Sequence, residues 1–174
     1  MRIYDETVPL YKLLNEINKA AQNDLPILAS IMASTLPDIC VSLEDPDGTR
    51  NEKKYKTWCE ENLGKKFSYI TGDDLYSFRC AGVHNGRMNR LKHNVSGFAF
   101  LVPAFGHIMG NKVNGTYLCG IGTFCENLTE AVFQCHKKNK SNPIIQRNME
   151  EFVQLRDPSS LGMGFPPEVR LLAS

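Results

Sequence analysis

The stretch Thr71 to Gly86, TGDDLYSFRCAGVHNG, constrains this chain most, because both of its ends are marked and a short helix satisfies both marks. Thr71 is suited to cap the first turn, Asp73 and Asp74 place acid where the helix dipole favours it, and Asn85-Gly86 is a left-handed stop. At about 100° per residue, Leu75, Arg79 and Val83 fall within roughly 80° of one another, while Phe78 and Ala81 extend the apolar surface. The spacing predicts a central helix that sends a single arginine out of an apolar face.

An arginine keeps its charge under physiological conditions, and setting it among Leu75, Phe78 and Val83 is costly unless an anion or a carboxylate answers it. Asp38 and Glu44, near the end of an earlier apolar helix, are the carboxylates expected to face Arg79. His84 lies five residues further on, so on one ideal helix the two side chains point about 140° apart. A site shared by Arg79 and His84 then requires either that the helix ends at His84 or that a second copy brings its own histidine across a two-fold axis.

Arg79-Cys80-Ala81-Gly82-Val83-His84 fits an R-x4-H pattern, and the run around it, with its acid pair, aromatics and closing Asn-Gly, resembles the motif segment of small bacterial and plasmid proteins of the HEPN superfamily. The likeness extends over most of the chain, including the early LPDIC helix and a late strand-then-helix element. It implies a mainly α fold, a HEPN-like helical bundle with a small inserted antiparallel β-hairpin. It also implies a metal-independent endoribonuclease, a toxin or anti-phage defence component, in which His84 deprotonates a ribose 2′-hydroxyl and Arg79 holds the phosphate. The implied partners are an RNA substrate, a second copy forming a homodimer, and a cognate antitoxin. Cys80 departs from the family pattern, which carries a polar residue after the arginine. The alternative is therefore a non-catalytic RNA- or protein-binding module of the same fold.

At 174 residues, 42% hydrophobic and 22% charged, the chain can bury one substantial core, and a single domain over 1–174 is expected. A net charge of +1 exerts no global pull on nucleic acid or membrane, so any RNA contact must be local. Arg2 and Asp5 bracket a start without signal-peptide character, and no apolar run reads as long enough to span a bilayer, so a cytoplasmic protein is expected. Cys40, Cys59, Cys80, Cys119, Cys125 and Cys135 lack C-x-x-C spacing and read as reduced core residues. Cys119, Cys125, Cys135 and His136 do not make a zinc knuckle, because Cys125 to Cys135 spans a helix. No metal or cofactor is implied.

Taken in order, Val8 to Ala21 repeats its apolar residues at threes and fours, the signature of an amphipathic helix. Asn23-Asp24 should cap a second helix with Pro26 in its first turn. Pro37 should kink that helix or restart it, with Thr35 as the cap. Asn51 to Leu63 reads as a charged helix burying Tyr55, Trp58 and Cys59, and Gly64 ends it. Arg87 to His93 is a basic run beside His84. GFAFLVP and TYLCGI, with Val113-Asn114-Gly115 before the second, predict a small antiparallel ribbon at about 96–121. Thr123 to Lys137 is a strong helix with Phe124, Leu128, Val132 and Cys135 on one stripe, Asn142-Pro143 breaks it, and Ile144 to Leu155 gives a last helix. The tail at about 157–174 reads as irregular. A cysteine hydrolase built on Cys80 and His84, at i and i+4, is disfavoured because mid-helix amides are already spent and leave no oxyanion donor.

Overall fold

In the computed structural model the described residues are 1–89, 91–102, 108, 110–156 and 170–173, with Lys65 described by its backbone alone. Six α-helices are described: α1 (Pro9–Gln22), α2 (Pro26–Glu44), α3 (Glu52–Leu63), α4 (Gly72–Asn85), α5 (Ile121–Asn139) and α6 (Pro143–Glu150). Five short strands accompany them: β1 (Gly97–Leu101), β2 (Asn111–Val113), β3 (Thr116–Gly120), β4 (Gln154–Arg156) and β5 (Leu171–Ala173). The protein is mainly helical with a small mixed sheet.

The central helix is α2, not the Thr71 to Gly86 segment. It packs on α1, α3, α4, α5 and α6, whereas α4 packs chiefly on α3 and α2. The reason lies in the side chains: PILASIMASTLPDICVSLE is apolar around most of its circumference and can serve several neighbours, while α4 carries acid and an exposed last turn. At 19 residues and mean hydropathy 1.5, α2 has the length and composition of a membrane span, contrary to the expectation that no run does. Here it is spent on the core, with Ala29, Ala33, Leu36 and Cys40 buried.

Pro37 neither breaks nor restarts α2, which is continuous to Glu44. Proline leaves the carbonyl one turn back without its usual donor. Hydroxyls gather around this stretch: Ser34 Oγ donates to the Ile31 carbonyl (2.6 Å), Thr35 Oγ1 to that of Met32 (2.8 Å), and the buried Tyr55 hydroxyl of α3 to that of Ser34 (2.8 Å). Asn23-Asp24 does not cap α2. Asn23 instead closes α1, with its amide Nδ2 on the Lys19 carbonyl (2.8 Å), and Leu25 takes the cap position.

The inserted sheet is mixed rather than a simple antiparallel ribbon. Asn114 (φ 49°) and Gly115 (φ 80°) do form a hairpin turn, but the strand they join to β3 is β2; β1, the GFAFL run, lies on the other side of β3 and parallel to it. What places β1 is tertiary packing: Phe98 stacks on Phe78 of α4 (ring centroids 4.5 Å) and Phe100 lies 4.8 Å from Phe124 of α5. After α6 the chain does not continue as helix to Leu155; Gln154–Arg156 pair antiparallel with Leu171–Ala173, so part of the expected irregular tail is strand. Residues 157–169 lie outside the described residues.

The Thr71 to Gly86 segment folds as its ends foretold. Thr71 and Asp74 make a reciprocal capping box, and Gly86 closes the helix at φ 60° with its N–H on the carbonyls of Ala81 and Gly82.

Candidate functional site

Asp74 is fully buried. Its Oδ2 accepts from the backbone N–H and hydroxyl of Thr71 (both 2.9 Å), and its Oδ1 accepts from the N–H of Val95 (2.9 Å). The second bond ties the segment after α4 back to the start of that helix. Asn94 Nδ2 donates to the Tyr69 carbonyl, and His93 stands close enough to Asp73 to help depress its pKa. Among the described residues of the basic run, His93 therefore does not cluster around His84. Arg87 leaves the end of α4 and His93 stands at its beginning, about 20 Å away along a helix of 14 residues.

Arg79 is 9% exposed and turned toward α2, where its Nε lies 2.7 Å from Oδ2 of Asp38, itself 4% exposed. The N–H is not aimed along that line, so the contact is an ion pair rather than an aligned hydrogen bond. A terminal guanidinium nitrogen also meets Cys80 Sγ at 3.8 Å. Burial works against the charge and is the largest single influence on it, yet Asp38 and Cys80 outweigh burial and hold the Arg79 pKa above its ordinary value. Of the two carboxylates expected for this role, Asp38 takes it. Glu44 lies at the far end of α2, where it accepts from Cys135 Sγ (3.3 Å) and Asn139 Nδ2 (3.4 Å).

His84 is exposed in the last turn of α4. Arg79 faces inward and His84 outward, as the angle between positions five apart requires, so one chain does not bring the two together. Cys80 faces Arg79 rather than forming a pair with His84. The other thiols are free and buried; burial raises Cys119 and Cys125 to about 12 and Cys135 to about 11, which makes them packing groups rather than nucleophiles. His136 meets the Tyr11 hydroxyl through Nδ1 (2.9 Å).

The feature that sequence reasoning missed is a group of exposed apolar side chains at the start of α2 and the end of α4. A Cβ added to Gly82 of α4 would lie 3.3 Å from Ile31 of α2, and Arg79 meets Asp38 further along, so the two helices run antiparallel. The last turn of α4 thus approaches the start of α2, where Leu25, Ile27 and Leu28 are 51%, 66% and 53% exposed; Val83 is 43% exposed. The signal is present in LPILASIM, although a helix apolar all round reads as wholly interior.

No family model matches the chain, and neither the curated proteins nor the solved structures contain a match. The class that the geometry supports is a mainly helical protein with a small mixed sheet, a buried motif arginine and an exposed histidine at a helix end.

Proposed function

We propose that this chain is a non-catalytic helical module of HEPN-like kind that acts through protein contact, as a homodimer joined across the start of α2 and the end of α4. The observation that carries the reading is the apolar strip of Leu25, Ile27, Leu28 and Val83. Four large apolar side chains left in water on adjoining helix ends favour an interface over a solvated surface. The Asp38 contact gives Arg79 a structural task, and Cys80 beside it replaces the polar neighbour of the nuclease pattern. Sedimentation tests the proposal. The native chain should run as a dimer at micromolar concentration, and Ile27→Glu with Val83→Glu should run as a monomer that keeps the native helical circular dichroism and a cooperative thermal transition, at a midpoint lowered by the lost association. A native monomer at high micromolar concentration would refute it.

A second reading is favoured by one observation, the exposure of His84 next to Val83 in the last turn of α4. A two-fold axis there would bring two histidines together, and RNA held across the pair could be cut by His84 as general base. This endoribonuclease reading requires Arg79 to leave Asp38. It predicts cleavage that persists in EDTA, leaves a 2′,3′-cyclic phosphate, stops at a 2′-deoxy nucleotide and is lost in His84→Ala. The non-catalytic module cleaves nothing under any of these conditions.

A further inference from the structure

A cleft of about 750 Å³ lies away from the end of α4, between the second half of α2, the turn that follows it and the end of α6. Asp38, 4% exposed, is its most buried charged lining residue, and Ile39, Leu43 and Phe152 line the cleft with it. Because Arg79 already answers the charge of Asp38, this carboxylate needs no second cation, and its remaining lone pairs suit a neutral donor such as a hydroxyl. Arg50 and Arg147 stand at the rim.

The rim is built rather than loose. Asp45 Oδ1 accepts from Asp47 N (3.0 Å), Thr49 N (3.1 Å) and the Thr49 hydroxyl (3.0 Å), and Asn148 of α6 donates to the carbonyls of Ser42, Leu43 and Asp45. Arg147 is held by two neutral oxygens, the Pro46 carbonyl and Asn148 Oδ1, which fix the guanidinium without cancelling its charge. Among the described residues no hydrogen bond or ion pair engages Arg50. Asp47 and Glu151 share the rim without pairing to either arginine.

We infer that this cleft binds a small polyhydroxylated anion, with its anionic group on Arg50 and Arg147 and a hydroxyl donating to Asp38. Phosphate fits better than carboxylate, because a dianion with three outward oxygens can take donors from two guanidiniums at once. The volume lies within the range of small-molecule sites.

The test is an amide-resolved NMR titration of the full chain with ribose 5-phosphate, inorganic phosphate, ribose and gluconate. Ribose 5-phosphate should give saturable shifts confined to residues 38–50 and 147–152 and bind more tightly than the other three. Arg50→Glu, at an exposed position without partners, should keep the native thermal midpoint and weaken ribose 5-phosphate by about tenfold or more. No saturable shift by about 10 mM, or unchanged affinity in Arg50→Glu, overturns the inference. Equal binding of inorganic phosphate alone removes the role given to Asp38, and tighter binding of gluconate removes the preference for phosphate.

Discussion

The two ends of α4 are built on opposite principles. At its start, Asp74 is buried with three donors on one carboxylate, Lys56 reaches across from α3 to Asp73, and the segment after the helix is tied back to it. At its end, Val83 and His84 stand in water, and Gly86 simply stops the chain. Arg79 belongs to the first regime and His84 to the second, although they are five residues apart. Closeness in sequence on a helix does not amount to a shared site, because 100° per residue decides which regime a side chain enters.

This contrast can be broken most directly at Arg79. Arg79→Ala leaves Asp38 as an uncompensated buried charge and should cost about 3–5 kcal/mol in urea unfolding. Removing both partners, in Asp38→Leu with Arg79→Leu, should recover much of that loss, since the geometry of the pair is not that of an aligned hydrogen bond. A loss below about 1 kcal/mol in Arg79→Ala would place the arginine in water with His84 and end the distinction.

Asp74→Ala comes next. It removes a capping box and leaves the buried N–H of Val95 without an acceptor, for about 2–4 kcal/mol, measured the same way. Hydrogen exchange should also quicken at residues 91–96, which Asp74 holds to the helix. An equal and uniform loss of protection over the whole chain would mean that the segment is held by something else.

Acid probes the same end more gently. The Lys56 ammonium, aided by His93, holds the Asp73 carboxyl below the usual carboxylate range. A group with a depressed native pKa contributes stability that is present above its unfolded value, about 3.9, and lost as pH falls through the native value. Native protein should therefore lose slightly more stability below about pH 4 than Asp73→Asn does, by a small amount because the pair is solvated. Matching acid profiles for the two proteins would remove Lys56 from the account.

The smallest effect belongs to the far end. His84→Ala should change stability by no more than about 0.5 kcal/mol, since an exposed helix-terminal ring has little packing to lose. A larger loss in a dimer that persists, or a fall in dimer affinity, would place His84 inside the interface rather than at its edge.

Read alone, the sequence determined what depends on neighbours along the chain. Thr71 with the acid pair after it, the glycines at 64 and 86, and Asn114-Gly115 all mark local geometry, which a few bonds within one turn can satisfy. The need of Arg79 for a carboxylate was legible for the same kind of reason, since a charge on an apolar face requires an answer wherever it folds, and Asp38 was one of two named for it. Tertiary structure decided which elements meet. It made α2 the centre, kept that helix whole through Pro37, set β1 parallel to β3, and brought Val95 back to Asp74 at the start of α4. It also left the apolar start of α2 uncovered and opened a cleft above Asp38. No periodicity encodes these outcomes, because they depend on which surfaces remain after the helices have chosen one another.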